Sequence, residues 1–154
     1  MEYKLVDILI KLGYRITFAE SCTAGLAAAK LVNVPDASKV LDVSFVTYAN
    51  EAKVKYVGVS EKSIEQFGVV SEQVAGEMAL GAANAMGSEV GVGISGIAGP
   101  TGETEEKPVG MVCFGISING NVKTYTKYFG DIGRNQVRKA SVEYIFTTLI
   151  DELC

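Results

Sequence analysis

Short β-branched segments alternate along this chain with runs of helical period, and Gly, Pro, Ser or Asn stands at nearly every junction. That alternation leaves few folds open. Leu5, Ile8, Leu9 and Leu12 recur at helical spacing ahead of Gly13, which predicts a first helix over residues 2–12. "YRITFAE" reads as a first strand, residues 23–33 as a second helix stopped by Pro35, and "KVLDVSFVTYAN" as a second strand. Asn50 is placed to cap a helix beginning "EAKVKYV", and Ser60 and Gly68 to bound a short one. Ser71 and Gly87 bound a longer one with Val74, Met78 and Ala82 on one face. A third strand then runs into the Gly-rich "SGIAGPTG". "MVCFGISING" and "NVKTYTKYFG" flank an Asn119-Gly120-Asn121 turn, a hairpin signal that leaves the register open by one residue. A last helix spans about residues 134–153, with Val137, Ala140, Tyr144 and Leu149 roughly on one face. The expected fold is α/β: a single three-layer α/β/α domain over residues 1–154, with a mixed, mostly parallel sheet and a C-terminal hairpin plus helix.

Composition narrows the function. No apolar run approaches the ~18 to 20 residues of a membrane helix, and "MEYKLVDILIKLGY" lacks the basic region and cleavage site of a signal peptide. A soluble, cytoplasmic protein without membrane contact is expected. The net charge of −4 and the lack of a Lys/Arg cluster argue against nucleic acid as partner and for a small molecule. Cys22, Cys113 and Cys154 are widely spaced without a CxxC pair, so neither a disulfide framework nor a thiolate zinc site is implied. The chain contains no histidine. Ser/His/Asp and Cys/His catalysis cannot be assembled within it, nor a His-based zinc site. No metal and no cofactor are expected.

Ligands of such sheets sit beyond the carboxyl ends of the parallel strands. Three segments fall there: Ser21 after the first strand, Tyr48 to Lys53 after the second, and Gly96 to Gly102 after the third. Without histidine, the usual remaining way to activate a serine is a lysine of depressed pKa, and Lys53 is the best placed. Bringing it from ~10.4 to roughly 7 or 8 requires about 3 to 5 kcal/mol, of which a surface helix dipole supplies at most ~1 kcal/mol; burial must supply most of the rest. The backbone N–H groups of Cys22, Thr23 and Ala24, opening the second helix, would hold an oxyanion. The plainer reading makes Ser21 or Thr23 a helix cap and Lys53 a solvated charge. Cys22 reads as a small buried hydrophobe, since no imidazole is present to make its thiolate. "SGIAGPTG" offers backbone donors for a phosphate but is no P-loop. Arg134, at the start of the last helix, is placed to meet a phosphate or carboxylate, or to be an ordinary surface arginine.

Taken together, "AESCTAG", "TYANEAK", "VGVS", "GVVSE", "SGIAGPTG", "EEKPVG" and "GDIGR" resemble, in one order over nearly the whole chain, the C-terminal domain of the competence/damage-inducible family CinA. That family includes stand-alone nicotinamide mononucleotide amidohydrolases. The resemblance implies metal-free hydrolysis of the nicotinamide carboxamide to nicotinic acid mononucleotide and ammonia through a Ser–Lys pair. The motif positions fall on Ser21 and Lys53, with Tyr48 matching a third active-site position. Thr23, Gly25, Asn50, Gly96, Ala98, Gly99, Thr101 and Arg134 are the candidate substrate-binding residues, with the glycine loop and Arg134 assigned to the phosphate and Tyr48 to the pyridine or its carboxamide. Ala24 stands where many members have glycine, and Thr101 lies in a loop often richer in it. The upstream pyrophosphatase-like module of longer members is not matched, so only the amidase half is implied. A pyridine nucleotide is thus the expected partner, and a homodimer the expected assembly. The rival reading is a nucleotide-binding regulatory module without turnover; a general amidase or esterase is a third.

Overall fold

The computed structural model describes residues 1–154. Its strands are β1 (Ile16–Glu20), β2 (Leu41–Val46), β3 (Val90–Gly96), β4 (Met111–Ile118) and β5 (Asn121–Tyr128), in the sheet order β2-β1-β3-β4-β5. β1 pairs parallel with β2 and β3, whereas β3–β4 and β4–β5 are antiparallel, so every strand except β4 points the same way. The helices are α1 (Glu2–Leu12), α2 (Leu26–Val32), α3 (Asn50–Val57), α4 (Glu61–Phe67), α5 (Glu72–Met86) and α6 (Arg134–Leu153). None is long and apolar enough to cross a membrane.

Side-chain alternation along the strands decides which helices cover which face. Val90, Val92 and Ile94 of β3, with Phe18 and Phe114, point into one core shared with Leu5 and Leu9 of α1, Leu31 of α2, and Val137, Phe146 and Leu149 of α6. Each such fully buried side chain stabilises the fold by roughly 1.5–3 kcal/mol relative to exposure. On the other face the intervening positions are Gly91 and Gly93 in β3 and Gly115 in β4. A Cβ on Gly91 would overlap the Ala79 carbonyl, and one on Gly93 or Gly115 the Ala75 carbonyl. The backbone of α5 therefore lies almost directly on the sheet. The expected stripe of Val74, Met78 and Ala82 is buried, packed with Ala19, Val57 and Val59.

Several local expectations hold. The Ser71 hydroxyl accepts from the Val74 amide at 3.2 Å, capping α5, and Gly87 ends that helix in the left-handed region. Asn119 and Gly120 both take positive φ, and Ile118 faces Asn121, so the hairpin closes on two residues. Its register is thereby fixed. Val137 and Leu149 of α6 are buried as expected, whereas Ala140 and Tyr144 lie at the margin of that face, Tyr144 against Phe114 and Phe129.

Other expectations are corrected. The second helix starts at Leu26 rather than residue 23, because Ala24 and Gly25 adopt positive φ and turn the chain first. Ser21 and Thr23 consequently cap nothing, and the amides after Ser21 do not open a helix. Asn50 is the first residue of α3, with Ala49 in the cap position and no side-chain cap bond. Ser60 likewise makes no cap bond to α4. The second strand is shorter than its apolar pattern, ending at Val46, which frees Thr47 and Tyr48 to turn toward α3.

The seating of α5 generates a test. Gly93→Ala places a methyl 2.7 Å from Met78 Cβ and into the Ala75 carbonyl, so we expect a loss of about 1–3 kcal/mol in urea unfolding. An unchanged urea midpoint would show that α5 does not rest on the bare backbone of β3.

Candidate active site

The parallel strands β1, β2 and β3 all point toward the same end of the sheet, and the segments that leave them converge there, as the alternation of strands and helices requires. Ser21 follows the last residue of β1, and its amide donates to the Ile94 carbonyl of β3 at 3.0 Å, which continues the ladder one residue further. Thr47 and Tyr48 follow β2 and lead into α3, whose fourth residue is Lys53. The last residue of β3 and the polypeptide after it, Gly96 to Gly102, form the opposite wall. Together these segments enclose a cavity of about 320 Å³.

At its floor Lys53 is buried, and its Nζ lies 3.2 Å from Ser21 Oγ, 2.8 Å from the Thr47 carbonyl oxygen and 3.1 Å from the Tyr48 carbonyl oxygen. An ammonium uses its three protons on these three oxygens. A neutral amine keeps two N–H bonds on the carbonyls and turns its lone pair to the Ser21 hydroxyl. Burial lowers the Lys53 pKa below its ordinary value, because the charged form is disfavoured away from water. The serine and the lysine of the sequence reading are therefore in direct contact, and the physical cause invoked for the lysine is the one found. Cys22, beside them on the wall, behaves as expected of a buried hydrophobe: burial pushes its thiol up to about 12. It stays protonated at neutral pH.

Asn50, Gly96, Ala98, Thr101 and Arg134 also line the cavity. Tyr48 lines it from the exposed rim, where its hydroxyl accepts from Arg134 Nη2 at 3.1 Å. Gly99, a predicted binding residue, does not itself line the cavity; its carbonyl accepts from Arg134 Nη1 at 2.7 Å and holds the guanidinium. The backbone N–H groups of Ala98, Gly99, Thr101 and Gly102 have no backbone acceptor, and neither do those of Cys22 and Thr23. Lys53 and Arg134 are the charged side chains of the lining and no carboxylate joins them, in a chain whose net charge is −4. No group of three or more Cys, Asp or Glu side chains is assembled that could hold a metal ion.

Thr23 and Gly25 do not line the cavity. Thr23 is buried behind it with its hydroxyl on Glu20 Oε1 at 2.7 Å, and Gly25 supplies the left-handed turn that starts α2. Sequence reasoning also missed residues that shape the site. Glu20, fully buried, accepts from the Thr23 and Ser44 hydroxyls and from the Ala27 and Ala28 amides, so this carboxylate caps α2 in place of Ser21. Arg138 of α6 donates from Nε to the Cys22 carbonyl at 2.9 Å and from Nη2 to the Thr23 carbonyl at 3.3 Å, clamping the turn that follows Ser21. Val69, Val70 and Ile97 supply apolar wall, and Ser95 lines the cavity from the end of β3. Glu20, within "AESCTAG", was visible as a charge closing an apolar strand; Arg138 carried no local signal.

Known proteins share this fold. The family model described as CinA C-terminal domain matches residues 1–153. Among curated relatives, a CinA-like protein of Kosmotoga olearia is 45% identical over 144 residues, covering 94% of this chain and 35% of its own length. A putative competence-damage inducible protein of Caldicellulosiruptor saccharolyticus is 42% identical over 154 residues, covering 98% and 38%. The chain thus spans about a third of the length of the curated relatives it matches. Among solved structures, the competence/damage inducible protein CihA from Agrobacterium tumefaciens superposes with TM-score 0.94 at 40% identity, over 97% of this chain and 92% of that one. The competence-damaged protein (CinA) superfamily protein from Enterobacter cloacae does so with TM-score 0.95 at 33% identity, over 99% and 90%. Motifs, fold and these matches lead to one assignment: the chain belongs to the CinA C-terminal domain family.

Proposed function

We propose that the chain hydrolyses the carboxamide of nicotinamide mononucleotide to nicotinic acid mononucleotide and ammonia through an acyl-enzyme on Ser21. The observation that carries this reading is the 3.2 Å contact between buried Lys53 Nζ and Ser21 Oγ at the floor of the cavity. The choice of substrate rests on the motif resemblance, and is supported by a lining that is cationic and aromatic at the rim.

Neutral Lys53 takes the Ser21 proton as Oγ bonds to the carboxamide carbon. The carbonyl oxygen becomes an oxyanion, for which the Cys22 amide on the cavity wall has no competing backbone acceptor. Collapse breaks the C–N bond, and Lys53 returns the proton to the leaving nitrogen, which departs as ammonia. Water then attacks the nicotinoyl ester, giving a proton to Lys53, and Ser21 Oγ leaves and recovers it. The unpaired amides of Ala98, Thr101 and Gly102 and the Arg134 guanidinium suit the phosphate. Tyr48, held at the rim by Arg134, suits the pyridine face.

Ser21→Ala and Lys53→Met are expected to lower ammonia release by at least about 10²-fold, in line with the loss of a nucleophile or its base. Folded variants that work at the parent rate would refute the mechanism. Calorimetry in parallel separates the rival binding module, which binds the mononucleotide without producing ammonia. Comparable rates on carboxamides without the phosphate would point instead to a general amidase.

The working base is neutral and its pKa is depressed by burial. Below that pKa Lys53 is protonated and idle, so kcat should rise with pH along a single limb whose midpoint lies under the ordinary lysine range. The chain has no histidine and burial pushes the Cys22 thiol up to about 12, so neither an imidazole nor that thiol supplies the limb. A kcat that is flat or falls from pH 6 to 9.5 would contradict this assignment.

A further inference from the structure

Ser95 is 1% exposed and stands one residue beyond Ile94, the residue whose carbonyl accepts from the Ser21 amide. Ser21, one residue beyond β1, therefore lies beside Ser95 of β3, with backbones about 5 Å apart. The Ser95 hydroxyl donates to the Val69 carbonyl at 2.7 Å. Its single proton is thus committed to the cavity wall, and what it presents to a molecule beside Ser21 is oxygen lone pairs. The other polar groups at the floor have complementary commitments: the two N–H bonds of a neutral Lys53 lie on the Thr47 and Tyr48 carbonyls, and its lone pair faces Ser21.

We propose that Ser95 selects a carboxamide at this site by accepting a hydrogen bond from the NH2 of the scissile amide. The proposal rests on the amidase reading above and deepens it. A carboxamide nitrogen carries two donors and satisfies the Ser95 lone pairs while its carbonyl carbon faces Ser21. A carboxylate carries only acceptors and sets lone pair against lone pair; to donate to it, Ser95 must give up Val69. The same polarity therefore holds the amide substrate and disfavours the acid product. An ester, whose alkoxy oxygen has no proton, gains nothing from Ser95.

The test compares nicotinamide mononucleotide with the methyl ester of nicotinic acid mononucleotide on the parent, Ser95→Ala and Ser95→Cys. Cysteine keeps a weak donor toward Val69 and is a much poorer acceptor. In both variants kcat/KM for the amide should fall about tenfold, the worth of one hydrogen bond, while the ester rate stays within about twofold. The amide-to-ester ratio is the readout, since a merely structural role for Ser95 lowers both rates together. A parent that releases ammonia and a ratio unchanged in the variants, or both rates falling equally, would overturn the role of Ser95 alone. A parent that cleaves the ester but releases no ammonia would overturn the amidase reading, and this proposal with it.

Discussion

A lysine buried at the meeting point of two strand ends and a helix has to satisfy three protons, or lose one. Lys53 does this with oxygens from three places: Ser21 beyond β1, and Thr47 and Tyr48 beyond β2. Removing the charge from water is costly, and the hydrogen bonds offset only part of that cost, so the neutral form gains ground. The same contact that ties α3 to the sheet also sets the proposed base beside the proposed nucleophile. In a chain without histidine, the proposed chemistry depends on this one side chain.

The rest of the architecture holds that meeting point still. Bare backbone at Gly91, Gly93 and Gly115 lets α5 settle on the sheet, and the segment just ahead of α5 carries the Val69 carbonyl that fixes Ser95. On the opposite face α6 reaches across from its first two turns. Arg134 holds the glycine loop and the Tyr48 hydroxyl, and Arg138 holds the turn after Ser21. Glu20 anchors that turn from within by binding Thr23 and the first amides of α2. Each segment bordering the cavity is thus fixed by a bond to an element distant in sequence.

What the sequence revealed follows from the range of the interactions. Strand and helix order, the Ser71 cap and the Asn119-Gly120 hairpin are set by neighbours within a few residues, and all were legible. The pairing of Ser21 with Lys53 was legible as one of two readings: the rule that parallel strands deliver their loops to one end made it possible, and the motif resemblance favoured it over a helix cap and a solvated charge. The start of α2 was misplaced because "SCTAGLAAAK" has helical composition, whereas Ala24 and Gly25 turn into the left-handed region to let Glu20 reach the helix amides. Thr23 and Gly25, also assigned to substrate, lie instead behind the cavity on Glu20 and in the left-handed turn that starts α2. Arg138 clamps a carbonyl 116 positions away, and no local pattern encodes that.

The central claim is that Lys53 is neutral when it activates Ser21. Its most direct test is a pH titration of the lysine side-chain methylene signals by carbon NMR in protein with 13C-labelled lysine, with Lys53 assigned from the Lys53→Met spectrum. The expected result is one lysine signal whose midpoint lies clearly below the ordinary lysine value of ~10.4, and which is missing from the variant. If Lys53 instead titrates at that ordinary value, it remains an ammonium at neutral pH and cannot be the base.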